Sequence, residues 1–376
     1  MSRFLFVNQF IPPDPAPTSR LLGEVAEALA KRGHEVVFIG HRSGYRGKKT
    51  LLGSRALREG LALLRLWWKT ATAPRCDAIV FLTSPPLLPI AIWAASFRHR
   101  GAKRIHWAMD LYPDVAVALG EVREGSLLHR VTARAMESVY HACDLIIVLD
   151  PEMAARVSHG GVRLEIVPPW PPPVARIEIP PPREGGPFLW LYSGNLGRAH
   201  EWRTLLEAQR LLEDEGLEID LVFQGGGAER EAAQDHATEL GLKRCHWRDY
   251  APETELVSSL LGADALVVTQ RPETAGCLWP SKLALARIVE RPLLWVGATG
   301  GSIALTLDGE GETVLAPGES ARLAERLRIL AAPGRVSTVG QDSATRLRQR
   351  LEQQRSQGVE KLIGALEHSL GAPAGS

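Results

Sequence analysis

Short apolar runs alternate with amphipathic helical patterns along this chain, and the alternation is made twice. Residues 4–9, 35–40, 77–82, 104–107, 144–149 and 164–167 read as strands in the first pass. Residues 189–192, 219–224, 245–248, 265–269, 293–296 and 314–316 do so in the second. Runs such as DLIIVL are apolar on both faces, and helical patterns separate them. That combination predicts parallel sheets covered by helices on both sides. Between the passes lie Pro168-Pro169-Trp170-Pro171-Pro172-Pro173 and Pro180-Pro181-Pro182. Proline makes such a segment stiff and extended, so it reads as a spacer between two domains.

The second pass opens on LWLYSGNLGRAHEWRTLLEA, residues 189–208. A strand runs into Ser193-Gly194-Asn195-Leu196-Gly197, and helical spacing is expected from Glu201. Strand, glycine turn and helix start would leave backbone N–H groups facing an anion such as phosphate. Arg198 and His200 could add side-chain donors. The competing reading is a tight turn that needs glycine only for its backbone angles. In the first pass a helix is expected from about Leu21, after a proline-rich loop reaching Arg20. That loop lacks the glycines of a dinucleotide fingerprint.

At 45% hydrophobic and 23% charged, the composition is that of a globular protein. Charge is uneven: residues 1–150 hold 20 Lys/Arg against 13 Asp/Glu, and the remainder 24 against 30. The first half should therefore favour an anionic partner or surface. Cys76, Cys143, Cys245 and Cys277 are scattered without metal-ligand spacing. A cytoplasmic location is expected, since the N-terminus reads as a buried strand rather than a signal peptide. No nucleic-acid partner is indicated. Residues 42–69 carry eight Lys/Arg and one acid, Glu59, with helical spacing from about Ser54. Leu57, Leu61, Leu64 and Trp68 share one stripe, beside Arg55, Arg58, Arg65 and Lys69. The stripe either packs on the core or touches an anionic membrane, making the protein peripheral at the inner face.

Two α/β halves, a stiff linker and a long final helix resemble the GT-B glycosyltransferases. The segments that carry the resemblance are Tyr192–Glu201, Pro280-Ser281-Lys282-Leu283, the first proline loop, Arg32-Gly33-His34-Glu35-Val36 and Asp110-Leu111-Tyr112-Pro113. Together they are similar to family 4, particularly the branch that builds bacterial surface polysaccharides. The resemblance implies two Rossmann-like domains with parallel sheets facing across a cleft. Residues 1–170 would bind acceptor, with a final helix of about 345–370 crossing back. Residues 171–186 would link, and 187–344 would bind donor.

The activity implied is retaining transfer from a nucleotide sugar, UDP-sugar above all, to a saccharide or lipid-linked acceptor. No cofactor and no metal is implied; the nucleotide sugar is a substrate. Asp110, Lys282 and Arg198 would be catalytic, with Lys282 the main cation on the diphosphate. Donor contacts would come from Ser193, Gly194, Asn195, His200, Gly225, Gly226, Tyr250, Glu273, Thr274, Ala275, Gly276 and Ser281. Thr18, Ser19 and Arg20 would lie on the acceptor side. Asp110 could equally be a turn residue before Pro113, and Lys282 a solvated lysine.

The chain departs from the family pattern at several points. Asn195 and His200 stand where an Arg and a Lys are usual. Glu273 stands for the first of two glutamates, Leu285 for the second, and Met109 for a histidine. The Pro17-Thr18-Ser19 region replaces a glycine pair. These departures leave open a nucleotide-sugar epimerase of the same fold, or a non-catalytic partner subunit.

Overall fold

A computed structural model of the chain describes residues 1–42, 55–157, 161–174, 177–180, 185–332 and 341–371. The expected helix start at Ser54, part of the 42–69 basic stretch, Pro181 and Pro182 lie outside the described residues. The chain divides into two units, Met1–Pro169 with Gly276–Trp279 and Ser356–Ser376, and Trp170–Ala275 with Pro280–Arg355.

The first unit contains β1 (Arg3–Phe10), α1 (Pro17–Lys31), β2 (Glu35–His41), α2 (Arg55–Ala71), β3 (Ala78–Phe81) and α3 (Leu88–Ser96). It continues with β4 (Lys103–Trp107), α4 (Asp114–Ala118), α5 (Leu127–Ala142), β5 (Leu145–Val148), α6 (Pro151–Val157) and β6 (Leu164–Ile166). All pairings are parallel, in the order β2-β1-β3-β4-β5-β6. The order reverses at β1, so the crevice for a ligand falls beyond the carboxyl ends of β1 and β3. Connections β2→β3, β3→β4 and β4→β5 all step the same way across the sheet. Right-handed crossovers therefore set α2, α3 and α5 on one face. Leu66, Ile92, Met136 and Val139 bury there against Val7, Ile79, Phe81 and Ile146.

Helix α1 starts earlier than the sequence suggests. Pro17 occupies its first turn, where a missing N–H costs no helical bond. Thr18, Ser19 and Arg20 are thus helical residues rather than loop residues.

The second unit contains β7 (Phe188–Ser193), α7 (Arg203–Asp214), β8 (Ile219–Gln224), α8 (Arg230–Glu239), β9 (Cys245–Arg248), α9 (Leu256–Leu261) and β10 (Ala265–Thr269). Then come α10 (Leu283–Ala286), β11 (Leu293–Val296), α11 (Ser302–Gly309), β12 (Thr313–Leu315) and α12 (Ser320–Ala331). Its sheet is also parallel, in the order β12-β11-β10-β7-β8-β9. Trp190, Tyr192, Leu205, Leu221, Phe223 and Leu294 belong to its core. The strand order reverses between β7 and β10.

The last helix, α13 (Gln341–Gly371), contributes residues to both units, changing over at Ser356. In the first unit Arg32 holds it, donating to Glu367 at 2.7 Å and also to Glu360, while His34 lies 3.1 Å from Glu367. This gives the Arg32-Gly33-His34 segment a structural task. Both ion pairs are partly exposed, so together they contribute about 1 kcal/mol. Arg32→Ala is expected to speed amide hydrogen exchange in Ser356–Gly371 by about fivefold. Unchanged exchange there would remove that task.

Candidate active site

The reversal in the second sheet brings the ends of β7 and β10 together, and a half-buried lysine group is built on them. Lys282 donates to the Tyr192 hydroxyl, to the Asn195 carbonyl at 3.1 Å and to His200 Nε2 at 3.3 Å. Its Nζ also sits 4.1 Å from the Tyr192 ring centre. His200 Nδ1 lies 2.7 Å from the carbonyl of Thr269, the last residue of β10. A carbonyl can only accept, so Nδ1 carries the proton and Nε2 offers its lone pair to Lys282.

The electrostatics follow from that arrangement. Burial, with Lys282 alongside, pulls His200 down to about 3, against the opposing effect of the Thr269 carbonyl. His200 is therefore neutral near pH 7. Burial raises the Tyr192 hydroxyl well above its ordinary value, so it too is neutral. Lys282 is lowered well below the usual lysine range by burial. Its three acceptors are all neutral, so none of them compensates the charge it carries when protonated. Such a site favours an incoming anion, which restores the ammonium.

Glycine makes room for the lysine chain. Gly194 has φ +132°, and a Cβ there would stand 3.1 Å from Lys282 Cε. Gly225, at φ +134°, follows β8 and approaches so closely that its Cβ would lie 2.2 Å from the Gly194 carbonyl oxygen. The Tyr250 ring covers Gly225 and Gly226, and its hydroxyl donates to Asn195 Oδ1 at 3.3 Å. Ser193 donates to Gln224 at 3.2 Å. The structure thus gathers Ser193, Gly194, Asn195, His200, Gly225, Gly226, Tyr250 and Lys282.

Several expected features differ. Helix α7 starts at Arg203, later than the sequence suggested, and the Glu201 carboxylate accepts from Thr204 N at 3.0 Å. A carboxylate already occupies that positive helix end. The Gly194, Thr274 and Ala275 amides are also engaged, on Gln224, Arg271 and Pro272 carbonyls at 2.8, 2.9 and 3.1 Å. The helix expected from Pro280 shrinks to a single turn, Leu283–Ala286, with Lys282 just before it. Its dipole is too short to matter beside the lysine's own charge.

Arg198, Glu273 and Ser281 are exposed. Thr274 is buried, its hydroxyl donating to the Arg271 carbonyl at 2.8 Å. Gly276 belongs to the first unit, where a Cβ would press on Glu152 and Arg156 of α6 at 2.9 Å. Tyr192 and Thr269 hold the lysine group, yet both sit inside apolar strand runs that give no polar signal.

In the first unit, Asp110 follows β4. The Thr83 hydroxyl, just past β3, accepts from Met109 N at 3.1 Å and Asp110 N at 3.4 Å. Asp110 also forms an antiparallel bridge with Leu278. Burial raises its carboxyl to about 6. Thr18 accepts from Asn8 at 3.2 Å, Ser19 is buried, and Arg20 pairs with Glu24 at 3.2 Å.

Residues 176–278 match the family model described as glycosyl transferases group 1. No curated protein matches the chain by sequence. Among solved structures, sucrose-phosphate synthase from Thermosynechococcus elongatus superposes with a TM-score of 0.65 at 16% identity, covering 97% of this chain and 100% of that one. The chain has the GT-B fold. WaaG, a glycosyltransferase involved in lipopolysaccharide biosynthesis, gives a TM-score of 0.62 at 17% identity, covering 95% of this chain and 98% of that one. TarM of S. aureus, crystallised with fondaparinux, alpha-GlcNAc-glycerol and UDP, gives 0.51 at 11% identity, covering 80% and 58%. The fold and the family segment together support a glycosyltransferase.

Proposed function

We propose that the protein is a retaining glycosyltransferase acting on a nucleotide-diphosphate sugar, a UDP-sugar above all. It needs no cofactor or metal, and its acceptor is a saccharide or lipid-linked saccharide of a surface glycoconjugate. The observation that carries this reading is Lys282, an amine held by neutral acceptors where the strand order reverses, whose ammonium form an incoming diphosphate would favour. A leaving nucleoside diphosphate gains negative charge, and a fixed cation stabilises that charge more in the transition state than in the ground state. Lys282 does this on the diphosphate, Arg198 assists, and Tyr250 with Gly225 and Gly226 borders the nucleoside. Thr18 and Arg20 flank the acceptor, with Ser19 buried behind them. UDP in the TarM complex supports the choice of nucleotide.

The test is a thermal-shift screen with UDP, GDP, dTDP and their sugars, followed by nucleotide release with and without acceptor. A UDP-dependent rise in Tm and acceptor-dependent UDP release are expected, both unchanged by EDTA. Isomerised donor without net release would identify an epimerase. No nucleotide binding would identify a non-catalytic subunit.

Proton linkage gives a second check. Burial lowers Lys282, and a bound diphosphate raises it again, so binding takes up a proton above the lowered value. UDP affinity is therefore expected to fall as pH rises through that value. Titration calorimetry in buffers of different ionisation enthalpy measures the uptake directly. A pH-independent affinity without proton uptake would remove Lys282 from the diphosphate.

A further inference from the structure

The chain leaves the second unit after Ala275, runs through the first unit as Gly276–Trp279, and returns at Pro280. Every residue of this strap is fastened to the first unit. Gly276, at φ +70°, lies so close to α6 that a Cβ would stand 2.9 Å from Glu152 Cβ and from Arg156 Nε. Space and backbone angle both exclude a side chain there. Cys277 is buried, and its carbonyl accepts from Leu111 N at 2.7 Å. Leu278 forms the antiparallel bridge to Asp110. Trp279 packs on the core that holds Leu111, Val148 and Met153. The strap therefore grips Asp110 and Leu111, the pair that follows β4.

Both flanks of the strap are fixed in the second unit, on the lysine group itself. On the entry side Arg271 N donates to the Ala199 carbonyl at 2.8 Å, next to His200, and one tight turn, Pro272–Thr274, follows. On the return side Leu283 N donates to the Pro280 carbonyl at 2.9 Å. Lys282 lies inside that turn, with its amine on Tyr192, Asn195 and His200. Only Trp279, Pro280 and Ser281 separate Leu278 from Lys282. Their Cα–Cα steps span at most about 15 Å, and proline fixes one φ, so the stretch holds little slack. A long loop absorbs a shift at one end in its own torsions, whereas a short stretch pinned at both ends passes it on. A shift at the lysine end is unavoidable when an anion binds. An ammonium has three N–H donors, and Tyr192, Asn195 and His200 match all of them, so an anion must draw one away.

We propose that Gly276–Trp279 is a positioning strap, which holds Asp110 and Leu111 in place and couples that hold to the occupancy of the Lys282 site. Gly276 then acts on Asp110 and not on the nucleotide. The benefit rests on the proposed transfer reaction, in which the carboxyl is ordered when donor is bound. The coupling itself is a property of the strap and can be read without turnover.

The experiment follows amide hydrogen exchange residue by residue in the full-length protein, with and without saturating UDP. Wild type is compared with a slackened variant carrying two glycines inserted between Trp279 and Pro280. In wild type UDP should slow exchange at Leu111, whose acceptor is the Cys277 carbonyl, by about tenfold, within the usual range of coupling between sites. In the slackened variant UDP should still slow exchange across Gly194–His200 and leave Leu111 unchanged, at the wild-type Tm. A strap with only a structural role would lower Tm when slackened and show no UDP effect at Leu111 in either protein. Gly276→Ala should undock the strap and speed Leu111 exchange about tenfold without nucleotide, the same scale of coupling. Lys282→Met gives a second nucleotide-free arm. It removes the amine's hydrogen bonds and should speed Leu111 exchange severalfold in the original strap but not in the slackened one. UDP binding that leaves Leu111 unchanged in wild type overturns the inference, and so does a slackened variant that responds as wild type does. If UDP does not bind, the proposed transfer reaction fails, and the Lys282→Met arm alone decides the strap. The same arm decides if the insertion lowers Tm: equal Leu111 exchange in wild type and Lys282→Met overturns the coupling.

Discussion

Replacing Lys282 with alanine is expected to lower turnover about 100-fold and to abolish the UDP-induced rise in Tm, while the apo protein melts no earlier than the wild type. The factor is the one associated with losing a single preorganised charge-stabilising donor. The stability expectation comes from linkage. Lys282 is lowered by burial from the value it holds in the unfolded chain. Between the lowered pKa and the ordinary value the unfolded chain binds the extra proton, so wild-type stability rises with pH across that window. Below the lowered pKa the full cost of burying the ammonium is present, and alanine removes it. The gap between variant and wild type should therefore widen as pH falls through the window. Removing the side chain also empties the space beside Tyr192 and Gly194, which limits the gain. Lys282→Met fills that space without charge and should show the gain more clearly. A variant with normal UDP affinity and turnover would transfer the role to Arg198. A variant that loses stability at every pH would mean that Lys282 braces Tyr192, Asn195 and His200 instead.

What the sequence made legible depended on how local the cause was. The strands were readable because parallel strands buried on both faces are continuous apolar runs, as Leu145–Val148 and Ala265–Thr269 are. Helix ends were less readable. Glu201 looked like a helical residue but acts as a carboxylate acceptor before Arg203, and Pro17 looked like loop but starts a helix. Periodicity placed Leu57, Leu61, Leu64 and Trp68 on one stripe, yet it could not say whether that stripe or the one through Leu66 meets the sheet. Only the crossover direction and packing decide that. Lys282 stood out through Pro280-Ser281-Lys282, but its surroundings did not. His200 and Tyr192 meet it because β7 and β10 are neighbours, and strand order is a non-local property. For the same reason a neutral histidine at position 200 could not be read as the partner of a cation supplied 82 residues later.

Asp110→Asn is expected to lower kcat about 100-fold or more, the range for losing a positioned acid–base group, without lowering Tm. Asp110 sits past β4, with its own amide and that of Met109 on the Thr83 hydroxyl, so the main chain is fixed by contacts that asparagine keeps. The next amide, Leu111 N, donates to the Cys277 carbonyl at 2.7 Å and is equally untouched. What changes is the carboxyl. Burial raises it to about 6, above its ordinary 3.8, so the folded protein holds a proton there that the unfolded chain releases between those values. Stability from this group therefore falls as pH rises from 3.8 to 6 and stays reduced above. Asparagine carries no such cost, so the variant should match or exceed the wild-type Tm at neutral pH and lose that advantage toward pH 4. Under the proposed transfer reaction, this carboxylate would orient or deprotonate a sugar hydroxyl. In that case wild-type kcat/KM should rise with pH through about 6, and this limb should vanish in the variant. Normal turnover combined with a lower Tm would make Asp110 a turn residue before Pro113, and the catalytic carboxylate would then have to be sought elsewhere.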